Sequence, residues 1–237
     1  MCVGFNTCLK FIRMGGKSSK FSFFRKPTAP SKIEKKMVEA LRKRAASEGS
    51  TVKSFNSIIM RFHKIDESFE KVRDVFQKFD KDSNGTIDVQ ELKDCFHELQ
   101  VSFTDEEITE FHHICDMDES KGIEFNEFIV VLSLVYLLEE PDNPNSKSRI
   151  GLPDLEATFD TIVDTFVFFD KDGDGYVSKT EILNAINEAP PGGKAADRIG
   201  TRRFEEMDFD KNGMITFKEF LFVFTHWVGV NDDDDEQ

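Results

Sequence analysis

The chain has 237 residues, 31 of them Lys or Arg and 45 Asp or Glu, for a formal net charge of -14 at pH 7. Its length admits one or two domains. Its four cysteines (Cys2, Cys8, Cys95 and Cys115) form no CxxC and no zinc or disulfide-framework spacing, which fits a reducing compartment. The charge is divided. Residues 1–65 hold 15 basic against 3 acidic residues and the remainder 16 against 42, so a basic arm precedes an acidic body. The acidity of the body needs no nucleic-acid or membrane explanation, and nucleic acid is not expected as a partner. No P-loop, GxSxG, kinase signature or HExxH is present, so no enzyme class is indicated.

Residues 1–30 mix Phe, Lys, Ser, Gly and Pro without sustained periodicity and read as a disordered basic tail. No secretory apolar run opens them. Met14-Gly15-Gly16-Lys17-Ser18-Ser19 fits the N-myristoylation pattern if translation starts at Met14, making Gly15 the acylated residue. Cys2 and Cys8 are palmitoylation candidates on the long form. Lys17, Lys20, Arg25 and Lys26 would be the basic second signal that a single acyl chain needs. The expected location is cytoplasmic, peripheral on a membrane if this arm is engaged.

Residues 31–65 read as a helical extension. Ser31 with Glu34 is a capping box. Ile33, Met37, Ala40, Leu41 and Ala45 share a face, and Lys and Arg occupy much of the rest, giving a basic amphipathic helix that Gly49 ends. A shorter pattern with Phe55, Ile58, Ile59 and Phe62 follows. Two expectations stand side by side: docking of one or both segments on the chain's own body as an internal pseudo-target, or a solvated basic helix.

Residues 66–138 carry two repeats. Phe69, Val72, Phe76 and Phe79 form an apolar stripe that leads into Asp80 to Glu91, DKDSNGTIDVQE. Oxygen donors fall at loop positions one, three, five, seven, nine and twelve: Asp80, Asp82, Asn84, the Thr86 carbonyl, Asp88 and Glu91, with Gly85 at the turn. That spacing is the twelve-residue calcium loop. Thr104 with Glu107 caps the next helix, which leads to Asp116 to Glu127, DMDESKGIEFNE. There Asp116, Asp118, Ser120, Glu124 and Glu127 fit, but Lys121 stands at position six and the glycine is displaced to Gly122. Two readings stay open, a fourth calcium site or a loop kept to pair with its neighbour. The following FIVVLSLVYLL, Phe128 to Leu138, is apolar all round. It is too short to span a bilayer and must be covered by the N-terminal helices, the other lobe or a partner.

Residues 139–153 read as a linker from their Pro, Asn and Ser content, and residues 154–230 as a second pair. Asp170 to Glu181, DKDGDGYVSKTE, offers Asp170, Asp172, Asp174, the Tyr176 carbonyl, Ser178 and Glu181, with Gly175 at six. Asp208 to Glu219, DFDKNGMITFKE, offers Asp208, Asp210, Asn212, the Met214 carbonyl, Thr216 and Glu219, with Gly213 at six. The last helix is again apolar on more than one face, and residues 231–237 form an acidic tail.

Over roughly residues 66–230 these loops resemble the calmodulin superfamily, and more closely the plant calmodulin-like EF-hand proteins with an N-terminal extension. The resemblance implies an all-α fold of four EF-hands in two paired lobes, with short β-bridges joining Ile87 to Ile123 and Val177 to Ile215, plus the N-terminal basic helix. It implies calcium as cofactor and a sensor that binds a target protein, through an amphipathic helix, when calcium binds. A calcium buffer and a constitutive regulatory subunit of an enzyme or channel are the alternatives. A membrane surface is a second partner expectation, through the basic N-terminus.

Overall fold

The computed structural model describes residues 30–47, 52, 54, 57–58, 60–139, 148–188 and 194–228. It is all-α apart from two short antiparallel pairings. Helix α1 (Lys32–Ala46) is followed by the first lobe, made of α2 (Phe62–Phe79), α3 (Val89–Glu98), α4 (Asp105–Cys115) and α5 (Phe125–Leu138). The second lobe holds α6 (Pro153–Phe169), strand β1 (Val177–Ser178), α7 (Lys179–Asn187), α8 (Lys194–Met207), strand β2 (Met214–Ile215) and α9 (Phe217–Val228). Ile87 pairs with Ile123 as an isolated antiparallel bridge, and Val177 pairs with Ile215, both as expected.

Several helices start where the sequence offers a cap, while the helices that begin at Phe62 and Pro153 have no side-chain cap. Ser31 and Glu34 form a capping box at α1, and Thr104 and Glu107 form one at α4. Lys43 and Arg44 lie in the last turn of α1, where cations complement the helix dipole. The first-lobe helix α2 begins at Phe62, ahead of the boundary at Asp66 read from the sequence. The expected linker is shorter on its C-terminal side. Ile150 is buried, and Glu156 of α6 accepts hydrogen bonds from the Ser148 hydroxyl and the Ile150 N–H, tying that stretch to the second lobe. Residues 140–147, Gly49, the N-terminal tail and the acidic tail lie outside the described residues.

The over-hydrophobic helix is explained by packing. Every residue of α5 from Phe125 to Tyr136 is buried. Its neighbours are α2 and α4 of its own lobe, α6 and α9 of the other, and α1. The lobes therefore meet through α5 and α9, with α2 also against α6 and α9, and one core runs across both. Helix α1 lays Ile33, Met37 and Leu41 into that core at a spacing of one helical face, and the second segment adds Val52 and Ile58. At about 2 kcal/mol for each fully buried aliphatic side chain, this seat is a substantial part of the fold. Of the expected covers for α5, the N-terminal helix and the other lobe are the ones observed. Among the described residues only Met60 is a strongly exposed large apolar side chain, at 74%. No described helix is long and apolar enough to cross a membrane.

Candidate calcium loops

The four loops share one hydrogen-bonded scaffold. In the third, Asp170 accepts from the Asp174 N–H (3.1 Å) and the Gly175 N–H (2.9 Å), and Asp172 accepts from the Asp174 N–H at 3.2 Å. Asp174 accepts from the Tyr176 N–H at 2.8 Å. Glu181 reaches back across the loop to accept from the Lys171 N–H and the Ser178 N–H, both at 2.8 Å. The first and fourth loops repeat each of these bonds with Asp80, Asp82, Asn84 and Glu91, and with Asp208, Asp210, Asn212 and Glu219. Gly85, Gly175 and Gly213 have φ between 84° and 87°, the left-handed turn that glycine takes at little cost.

This scaffold gathers acceptor oxygens. Asp80, Asp82 and Glu91 bring one carboxylate oxygen each within 4.8 Å of one another, as do Asp170, Asp172 and Glu181, and Asp208, Asp210 and Glu219. Asp116, Asp118 and Glu127 do the same in the second loop. A cluster of acids that could hold a cation is thus present in all four, the loop with Lys121 at the turn included.

The second loop differs in detail. Lys121 has φ 75°, in the left-handed region that β-carbons disfavour, at the position where the other three loops have glycine. The Lys121 N–H donates to Asp116 Oδ2, but Asp116 Oδ1 is buried with no hydrogen-bond partner. The Ser120 hydroxyl donates to the Gly122 carbonyl at 2.9 Å. The displaced glycine has a steric cause: a β-carbon at Gly122 would stand 2.5 Å from Thr86 Oγ1 of the paired loop. Glu124 and Glu127 remain in place, with the Glu124 N–H donating to Glu127 at 3.0 Å.

Four of these carboxylates are held above their ordinary values, chiefly by burial. Burial pushes Glu127 up to about 8, and the Asp118 and Asp116 charges add to the rise. Burial, with Asp174 and Glu181 beside it, raises Asp170 to about 6. Asp208 and Glu219 are also raised, chiefly by burial. Burial pushes Glu181 the same way, but hydrogen bonds from Ser178, Lys171 and Asp172 outweigh it and hold the group below its ordinary value. The orphaned Asp116 Oδ1 and the clustered buried acids fit a hard divalent cation. Calcium supplies a double positive charge that accepts six to eight such oxygens.

The twelfth-position glutamates have a second task that ligand spacing alone does not reveal. Asp88 with Glu91, Glu124 with Glu127, and Ser178 with Glu181 are capping boxes for α3, α5 and α7. Thr216 and Glu219 exchange the same bonds at the start of α9. The signal was legible: a Ser, Thr or Asp three residues before a Glu is a helix start. Also missed were Arg42 and Arg44 of α1, which meet the third hand. Gly15, Cys2 and Cys8 lie outside the described residues.

Two paired EF-hand loops per lobe, bridged through Ile87 with Ile123 and Val177 with Ile215, define an EF-hand protein. The pattern of an EF-hand domain pair matches residues 69–133 and again 159–225. The probable calcium-binding protein CML21 of Arabidopsis thaliana is 50% identical over 223 residues, 93% of this chain and 95% of that one. The probable calcium-binding protein CML22 of the same plant is 45% identical over 210 residues, 87% and 90% of the two chains. Calcium-dependent protein kinase 9 of Oryza sativa subsp. japonica is 29% identical over 155 residues, 65% of this chain but 24% of the kinase. The chain belongs to the plant calmodulin-like EF-hand family, one of calcium-binding proteins rather than enzymes.

Proposed function

We propose that this chain is a calcium sensor whose response is a rearrangement of its two lobes about helix α1, presenting to a target protein apolar surface that is buried here. The observation that carries this reading is the position of α1. Lys36 pairs with Glu107 of the first lobe at 2.7 Å, Lys218 of the second lobe pairs with Glu34 at 3.4 Å, and Arg42 and Arg44 reach the third hand. A change at one loop is thereby tied to the arrangement of both lobes, a linkage that a plain buffer does not need. A target would engage through an amphipathic helix of α1's own character, basic with one apolar face.

In each hand the twelfth glutamate holds both the loop and the first turn of the following helix. Drawing its oxygens toward a cation displaces that helix relative to the one before the loop, and α5 and α9, which follow loops two and four, are the helices through which the lobes meet. Only a few methionines lie in the body, with abundant phenylalanine, so the target set is narrow.

The test is fluorescence of a hydrophobic-surface dye during a calcium titration of the full chain at constant millimolar magnesium. A rise that follows calcium occupancy is the expected result. A flat response with calcium bound assigns the chain instead to the buffers or to the permanent subunits.

A further inference from the structure

The four loops are not equally placed toward the rest of the chain. A β-carbon built at Gly85 or at Gly213, the turn glycines of the first and fourth loops, meets nothing within 4 Å. At Gly175 of the third loop it would stand 2.9 Å from Val38 Cγ1 and 3.2 Å from the Val38 carbonyl oxygen. At Gly173, two residues earlier, it would lie 3.6 Å from Ala45 Cβ. Between these glycines, the Asp174 carbonyl accepts a hydrogen bond from Arg42 Nε at 3.0 Å. One face of α1 therefore lies on the turn of the third loop. Arg44, from the same helix, holds Asp160 and Asp164 of α6, the helix that leads into that loop.

We propose that α1 is the positioning element of the third calcium loop, with Arg42 and Val38 as its positioning residues. Neither side chain offers an oxygen to the cation. Both act on Gly173–Gly175, where two glycines within three residues, at φ 70° and 84°, give the unbound loop more backbone freedom than any side chain would allow. Contact with α1 removes that freedom before the cation arrives, which strengthens binding by preorganisation. The positive charge of Arg42 opposes a cation, but Arg42 is exposed and donates to the outer carbonyl of the turn, where water and salt screen it. The loop's own Asp170, Asp172, Asp174 and Glu181 offset it further. Linkage is reciprocal, so calcium in the third loop also holds α1 down. This rests on the calcium-binding assignment and goes beyond the sensor reading, because it holds whether or not the lobes open.

Hydrogen exchange of the full chain, followed by mass spectrometry in calcium and in chelator, tests it. Amides of residues 32–46 are expected to exchange about tenfold more slowly in calcium. Glu181→Gln removes more of that difference than Glu91→Gln does. In parallel, Arg42→Gln weakens by about threefold to tenfold the calcium site that Glu181→Gln abolishes, leaves the site of the first loop unchanged, and is partly rescued by Arg42→Lys. Exchange of α1 that calcium leaves unchanged or quickens overturns the proposal. So does slowing that Glu181→Gln reduces no more than Glu91→Gln does, or an Arg42→Gln chain with unaltered affinity at that site. A flat dye response together with calcium-protected α1 would remove the sensor reading and leave this inference standing.

Discussion

Arg44 of α1 donates twice to Asp164 Oδ1 of α6, from Nε at 2.9 Å and from Nη2 at 2.7 Å. The Asp164 side chain is 0% exposed, and Arg44 Nη2 also reaches Asp160, whose Oδ1 accepts from the Tyr136 hydroxyl at 3.1 Å. An N-terminal helix and the second lobe are thus joined by a charge pair at the edge of the common core. Removing the arginine leaves a buried carboxylate without its cation, the costly half of such a pair. Arg44→Gln should lower the unfolding free energy by about 3 kcal/mol, seen as a lower denaturant midpoint. Arg44→Leu with Asp164→Leu should recover most of that loss. A single variant with an unshifted midpoint would show that the pair is idle.

The strain at Lys121 is relieved by supplying the glycine that the turn asks for. A residue with a β-carbon in the left-handed region costs about 1–2 kcal/mol, and Lys121 sits there at φ 75°. Lys121→Gly should raise the stability of the first lobe by about 1 kcal/mol and strengthen calcium binding at Asp116–Glu127. Titration calorimetry of the variant against the parent chain reads the second effect, and an unaltered isotherm would show that the turn conformation does not limit the site.

Gly122 makes the opposite case. Its place in the loop is set by the neighbouring loop, since an added β-carbon would stand 2.5 Å from Thr86 Oγ1 and 2.6 Å from Thr86 Cβ. Gly122→Ala should disturb the Ile87 to Ile123 bridge and weaken calcium binding at both first-lobe loops together. Thr86→Gly in the same chain should restore it, because both clashing atoms are then gone. Loss confined to the second loop would refute the coupling.

Much of this architecture was legible beforehand, and the parts that were not share a cause. The loops declare themselves because a metal shell fixes residue types at a fixed spacing, and the capping boxes at Ser31 and Thr104 declare themselves for a similar local reason. The apolar run from Phe128 to Leu138 announced that it must be buried, but what covers it depends on contacts between segments far apart in the chain. Periodicity carries no information about those contacts. Asp164 shows the same limit. An acid among the buried residues of α6 looks like a defect until Arg44, 120 residues away, is brought to it. The displaced Gly122 could be noticed in the sequence, but its reason lies in Thr86 of the partner loop.

The loop acids make stability depend on pH in opposite senses with and without calcium. In the calcium-free chain Glu127, raised to about 8, and Asp170, raised to about 6, favour their protonated forms in the fold. Stability from a raised carboxyl group is present below the ordinary carboxylate range and is lost as pH rises through the folded value. The calcium-free chain should therefore lose stability between about pH 5 and pH 8. Asp105 and Glu107, held low by Lys93 and Lys36, act in the other direction, but only below about pH 4, as their salt bridges are protonated away. Saturating calcium favours ionised oxygens, so the trend across pH 5 to 8 should reverse. Thermal melts in chelator and in calcium over that window check both signs. In weakly buffered solution at pH 7, where Glu127 is about nine-tenths protonated without calcium, calcium bound at the second loop should release close to one proton. Glu127→Gln should abolish that release. A parent chain that releases no more protons than this variant would show either that Glu127 is already ionised without calcium or that the second loop takes no calcium at that pH.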